Sequence, residues 1–275
     1  MPESILPPKS NTVFQLLFGD PRNIELLADF LKSVLDVPED EYQDIVIVNP
    51  YLTREYPGRK LGIVDLRLTT LSGQTIHVEI QRFPDPEMRD RLIFYDANLI
   101  AGQVNEGEQY SLKRVISILI TDYDLIPRRD NACLVSAYHH RFTLYDPRKA
   151  VEFTDILEIH TLELTKIPET PDVYLWNCMR FLRAETKEEI DMIANASPAI
   201  QKATATVKKL SKDERARMLH LDEVMARMCE RARLDYAIKE GKLEIARAMF
   251  AEGDSIEKIA RITGISQETL KTGLS

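Results

Sequence analysis

Cysteine and glycine are both scarce in this 275-residue chain. The three cysteines, Cys133, Cys178 and Cys229, stand far apart and form no CxxC pair. Such a set fits buried thiols in a reducing compartment better than a disulfide framework or a zinc site. With 10 Gly and 14 Pro, the composition argues against collagen-like, disordered or linker-rich chains. No apolar run approaches the roughly 18 residues of a membrane span. The start, MPESILPPKS, lacks an apolar core of signal-peptide length, so the expected location is the cytoplasm. A basic surplus is missing too: 36 Lys+Arg against 44 Asp+Glu leave a formal net charge of −8. That balance gives no overall attraction to nucleic acid or anionic lipid. The deficit is uneven. Residues 200–275 carry 15 Lys+Arg against 12 Asp+Glu, so the tail is mildly basic and the first 199 residues carry the acid.

What is present is ordinary globular material, 44% hydrophobic and 29% charged, enough for one large domain or one domain with an appendage. Asn11 is placed to cap a helix carrying Val13, Phe14, Leu17 and Phe18 on one face. Asn23 can cap a second helix built on Leu26, Leu27, Phe30, Leu31 and Val34, and Pro38 closes the region. From Ile45 to Asn49 the period falls to two, and Leu61–Leu68 alternates cleanly. Leu71-Ser72-Gly73-Gln74 then reads as a hairpin connection into the strand Thr75–Gln81. A helix is predicted over 87–106, with Leu92, Tyr95, Leu99, Ile100 and Val104 at helical spacing and Gly107 as its stop. Val115–Ile120 is apolar on both sides, as a central strand requires. Further strands are expected from Cys133 to about Tyr145 and over Ile156–Leu164. After Pro168 and Pro171 the pattern is helical: 172–184, 186–195, 198–210, 212–233, 235–252, then a pair from Ser255. The chain reads as a mixed α/β domain over 1–167, its sheet covered by helices, followed by an all-helical region over 168–275.

The hairpin carries the chemistry. Asp65 and Glu79 are equidistant from Ser72, so an antiparallel pairing sets them opposite each other, and Gln81 shares the face of Glu79. Opposed like charges destabilise a strand pair unless a cation sits between them. A hard divalent ion such as Mg²⁺ suits two carboxylates, with water and phosphate oxygens completing its shell. Such a metal polarises a phosphate and acidifies a bound water for in-line attack, and Gln81 could orient that water. Gln81 cannot supply positive charge as an ammonium would. The plain alternative is two solvated carboxylates on an unliganded hairpin.

The order of these residues resembles the PD-(D/E)xK nuclease superfamily and, more closely, the Rpn family of recombination-promoting nucleases and transposases. PKSNTVFQLLFGDPRN is similar to that family's entry helix; GIVDLRLTT and VEIQR follow, then Arg89, Tyr95, Gly107 and Tyr110. The resemblance is strong over about residues 8–125. It implies a restriction-endonuclease-like mixed sheet flanked by helices. It implies a DNA endonuclease of transposase type, dependent on Mg²⁺ or Mn²⁺, hydrolysing phosphodiester bonds. Asp65 and Glu79 would hold the metal, and Gln81 would stand at the lysine position as a third catalytic residue. Two positions depart from the family pattern: Asn11 replaces an Asp and Gln15 a Lys. They point to the alternative, a catalytically weakened relative that binds DNA or a protein partner.

Other signals weigh less. His77-Val78-Glu79 has the HxE spacing of zinc deaminases without their PCxxC. His139-His140 could ligate a metal or close a strand. Asp122 and Asp124 follow the buried strand and could reach the site or be solvated. Arg89 and Arg91 could meet a phosphate or line a helix surface. Ile256–Leu270 has the small residue, turn glycine and apolar residue of a helix-turn-helix, at Ala260, Gly264 and Leu270. Its second helix offers only Lys271 as a basic residue, so a terminal helical hairpin packed on the bundle or on a second subunit is the competing reading. A homo-oligomer formed through this helical region is a further expectation.

Overall fold

A computed structural model describes residues 5–35, 45–48, 65–126, 137–170 and 174–273. The expectations at Pro38, Asn49, residues 61–64 and Cys133 fall outside these. Helix α1 (Asn11–Phe18) is capped by Ser10, not Asn11. Ser10 is the last extended residue, and its hydroxyl accepts the Val13 N–H at 3.2 Å. Asn23 precedes α2 (Ile24–Val34) without capping it; its Nδ2 instead donates to the Leu17 carbonyl at 2.8 Å and ties the two helices together.

Six strands follow: β1 (Val46–Val48), β2 (Leu66–Thr69), β3 (Thr75–Gln81), β4 (Val115–Thr121), β5 (His139–Asp146) and β6 (Val151–Glu163). They form one mixed sheet in the order β1-β2-β3-β4-β6-β5. β3, β4 and β6 run parallel, while β1–β2, β2–β3 and β5–β6 are antiparallel. Gly73, at φ +84°, makes the β2–β3 turn in a conformation that side chains resist. The crossover from β3 to β4 is α3 (Met88–Ala101). It ends at Gly102, short of the expected 106, where the Gly102 N–H takes up the Asn98 carbonyl. Val104 had extended the helical spacing by coincidence; Gly107, at φ +85°, lies in the loop beyond.

Every residue of β3 is buried, although its sequence alternates. Ile76, Val78 and Ile80 enter the main core with α1, α2 and three later helices, α4 (Tyr174–Arg183), α5 (Lys187–Ile193) and α6 (Pro198–Lys212). The other face lies under α3, where Tyr95 and Leu99 meet Val115, and Met88 and Leu92 meet Leu119. Polar groups there need partners once dry. His77 finds Asp96 of α3 at 2.7 Å, and Ser117 of β4 bonds to both.

Near the β5 edge, His139 Nε2 lies 2.8 Å from His160 Nδ1, and His160 Nε2 lies 2.7 Å from Glu158 Oε1. Arg141 Nε donates to Glu158 Oε2 at 2.8 Å, and Arg114 reaches the same oxygen. Burial alone would raise the Glu158 pKa, but the bonds from His160 and Arg141 and the Arg114 charge outweigh it and bring it to about 2. Burial, then the neighbouring His160 and His140, lowers His139 to about 4. Stability from a neutral His139 is therefore complete above pH 6.5 and is lost as pH falls toward 4. Urea midpoints at pH 7 and pH 5 should show a smaller acid loss for His139→Gln than for the wild type; an equal loss would refute this.

One helix, α7 (Glu214–Ala251), replaces the two expected over 212–233 and 235–252, because Arg233-Leu234-Asp235 contains no breaker. α8 (Ile256–Thr263) and α9 (Gln267–Gly273) complete the chain. The chain divides into two compact units, Met1–His220 and Leu221–Ser275. Cys178 is buried as expected, but Cys229 is exposed on α7. Among the described residues, no helix is long and apolar enough to cross a membrane.

Candidate active site

The β2–β3 ladder ends with Leu66 opposite Val78, so the next step brings Asp65 level with Glu79. This is the carboxyl end of β3, the rim where parallel strands present ligand sites. Asp65 Oδ2 accepts the Ile80 N–H at 2.9 Å, and Oδ1 accepts from Nε2 of the α1 residue Gln15 at 3.0 Å. Glu79 Oε1 accepts the Asp65 N–H at 3.3 Å; among the described residues no hydrogen bond reaches its Oε2. Burial, then the charge of Asp65, raises the Glu79 pKa well above its ordinary value. Arg91 and the Asp65 N–H work against that rise without cancelling it.

This donor set fits a hard divalent cation. Two converging carboxylates repel, one has an oxygen to spare, and a cation between them relieves the repulsion. Among the described residues, no group of three or more His, Cys, Asp or Glu side chains is arranged for a metal.

Gln81, two residues on, is 6% exposed. Its Nε2 donates to the Phe83 carbonyl at 3.1 Å, and its Oε1 lies 3.5 Å from Arg91 Nη2. The amide is held at both ends within the protein.

A family model for PD-(D/E)XK nuclease family transposases matches residues 8–237. The chain belongs to that family. A second model, for the C-terminal HTH domain of the Rpn/YhgA-like nuclease family, matches residues 239–274. Neither a curated protein nor a solved structure matches significantly. Membership carries a nuclease- or transposase-like function, and nucleases of this class generally use divalent metals.

The helix-turn-helix of this family member is built as its spacing predicted. Gly264, at φ +70°, closes α8 and donates its N–H to the Ala260 carbonyl. Leu270 of α9 packs with Ile259 of α8 and Ala246 of α7 in a small core. Ser255 caps α8 through the Lys258 N–H.

The weaker candidates separate. Asp122 gives its N–H to the Gln81 carbonyl, but its carboxylate pairs with the buried Lys9 at 2.7 Å. Lys9 also pairs with Glu185 at 2.7 Å and so binds three segments beside the site. Asp124 accepts from Thr165, and Arg89 donates to the Leu125 carbonyl. His139 belongs to the Glu158 network, and His140 Nδ1 lies 3.7 Å from Glu163 Oε1. Arg91, unlike Arg89, faces the site. Its signal was position: it adjoins the inward row Met88, Leu92, Tyr95, Leu99, where an arginine needs a partner.

Proposed function

We propose that this chain is a Mg²⁺-dependent DNA endonuclease of transposase type, with Mn²⁺ as an alternative metal, acting in the cytoplasm. The observation that carries the reading is the convergence of Asp65 and Glu79 at the end of the hairpin ladder. A divalent cation held by these two carboxylates would polarise the scissile phosphate and lower the pKa of an attacking water. The protein's part is preparation. The Ile80 N–H and Gln15 fix the Asp65 carboxylate, and the Asp65 N–H fixes Glu79. Burial of Glu79 keeps bulk water from screening the charges around it. The helix-turn-helix unit would bring the core to DNA through phosphate contacts.

A second reading, a weakened relative that binds without cutting, is favoured by one observation. Gln15, whose amide donates to Asp65, is neutral, and Gln81 is neutral too. Nicking of supercoiled plasmid decides between them. The nuclease reading expects Mg²⁺-dependent nicks, blocked by chelation and reduced at least ~100-fold in Asp65→Ala. Salt-sensitive DNA binding without any nicking by the wild type leaves only the second reading.

A further inference from the structure

A phosphoryl-transfer site needs positive charge where the phosphate will sit, and neither Gln15 nor Gln81 provides it. Among the described residues, Lys9 is paired with Asp122 and Glu185, Arg89 donates to the Leu125 carbonyl, and Arg82 lies over the Phe83 ring at 5.5 Å. Arg91 is set against the site itself. α3 begins beside the end of β3 and sets its guanidinium against Gln81, where Nη2 lies 3.5 Å from Oε1, at the outer limit of a hydrogen bond. Asp85 takes Nη1 at 2.8 Å and fixes one side of the guanidinium. Among the described residues, Nη2 meets that amide oxygen and the Met88 sulfur at 2.9 Å, and Nε is buried with no hydrogen-bond partner. The side chain as a whole is still 35% exposed, so its charge is open to a ligand, and a guanidinium suits a phosphate.

We propose that Arg91 is a cation of this site, its guanidinium steadied by Asp85 and Gln81 to meet a phosphate of a nucleic-acid backbone lying over Asp65 and Glu79. Gln81 then serves as the rest on which the guanidinium lies. This extends the nuclease reading, but the phosphate contact does not require that the bond be cut.

The test combines Arg91→Gln with Arg91→Gln/Gln81→Lys, which returns an ammonium to the neighbouring position without repairing the Asp85 contact. Single-turnover plasmid nicking should fall ~100-fold or more in Arg91→Gln. Affinity for a short DNA duplex, read by fluorescence anisotropy in Ca²⁺, should also fall, with the slope of log K against log salt smaller by about 1. The double variant should recover most of both. Unchanged affinity and nicking in Arg91→Gln would overturn the proposal. So would a loss that Gln81→Lys fails to restore, since Arg91 would then matter only as an anchor of α3. If the wild type does not nick, the nuclease reading fails alone, and duplex affinity still decides for or against Arg91. A wild type that does not bind DNA overturns both.

Discussion

Glu79→Gln should make the metal-free protein harder to unfold while sharply reducing the nicking that the nuclease reading expects. Glu79 is 5% exposed and level with Asp65, and burial followed by the Asp65 charge raises its pKa well above the ordinary value. An acid raised in this way adds stability only while protonated. The contribution is present below the unfolded pKa of about 4.3 and is lost as pH rises through the folded value. At pH 8 without metal, the ionised carboxylate is therefore a cost. Glutamine removes the charge and keeps an oxygen for the Asp65 N–H. An uncompensated buried charge relieved by ~1–2 kcal/mol corresponds to a rise in Tm of roughly 2–8 °C for a domain of this size. Melts in EDTA should show that gain at pH 8 and a smaller one at pH 5. Adding Mg²⁺ should reverse the order, because binding stabilises only the protein that keeps the ligand. Nicking should fall at least ~100-fold. A Glu79→Gln protein that melts below the wild type in EDTA at pH 8 would show that the two carboxylates are not in conflict.

Such a conflict is legible in the sequence, because a hairpin's register follows from its turn. Two acids equidistant from Ser72 must meet if the strands pair, and the ladder does carry Leu66 opposite Val78. β4 was equally plain, since a run apolar on both sides has no solvated face to occupy. The sequence misleads where the choice between two local options depends on neighbours. Ser10 and Asn11 are both good caps, and the cap fell to Ser10, the residue with extended backbone. α3 stopped at Gly102 despite an apolar Val104 in phase, because propensity does not report where packing ends. α7 runs unbroken because nothing in the chain obliges a stop, and an absent signal is hard to read. The polar stripe of β3 is buried, because Asp96 and Ser117 meet His77 from elements 19 and 40 residues away. Arg91 is hard to single out for the same reason: Asp85, Met88 and Gln81 become its neighbours only when α3 folds back.

The second large effect is expected in the smaller unit, where one leucine carries much of the core. Leu270, Ile259 and Ala246 are the fully buried members, with Met249, Ile256, Ala260 and Ile265 packed partly against them. Leu→Ala in a packed core costs ~2–5 kcal/mol, and a core this small has little else to lose. Leu270→Ala should therefore unfold α8 and α9 locally. The main core, drawn from β3, β4 and the helices before His220, shares none of these residues and should stay intact. Native-state hydrogen exchange reads both: protection lost over 256–273 and kept over 75–81 and 115–121. Retained protection over 256–273 would sink the prediction. DNA binding distinguishes what the unit is for. Lys258 is paired with Asp254 at 2.6 Å, and α9 offers Lys271 as its one basic side chain, which is little with which to read base edges. A helix-turn-helix with so few basic side chains would hold a duplex mainly by its phosphates. The affinity lost with Leu270→Ala should then be the same for unrelated sequences and should shrink as salt rises, because phosphate contacts weaken together with their released counterions.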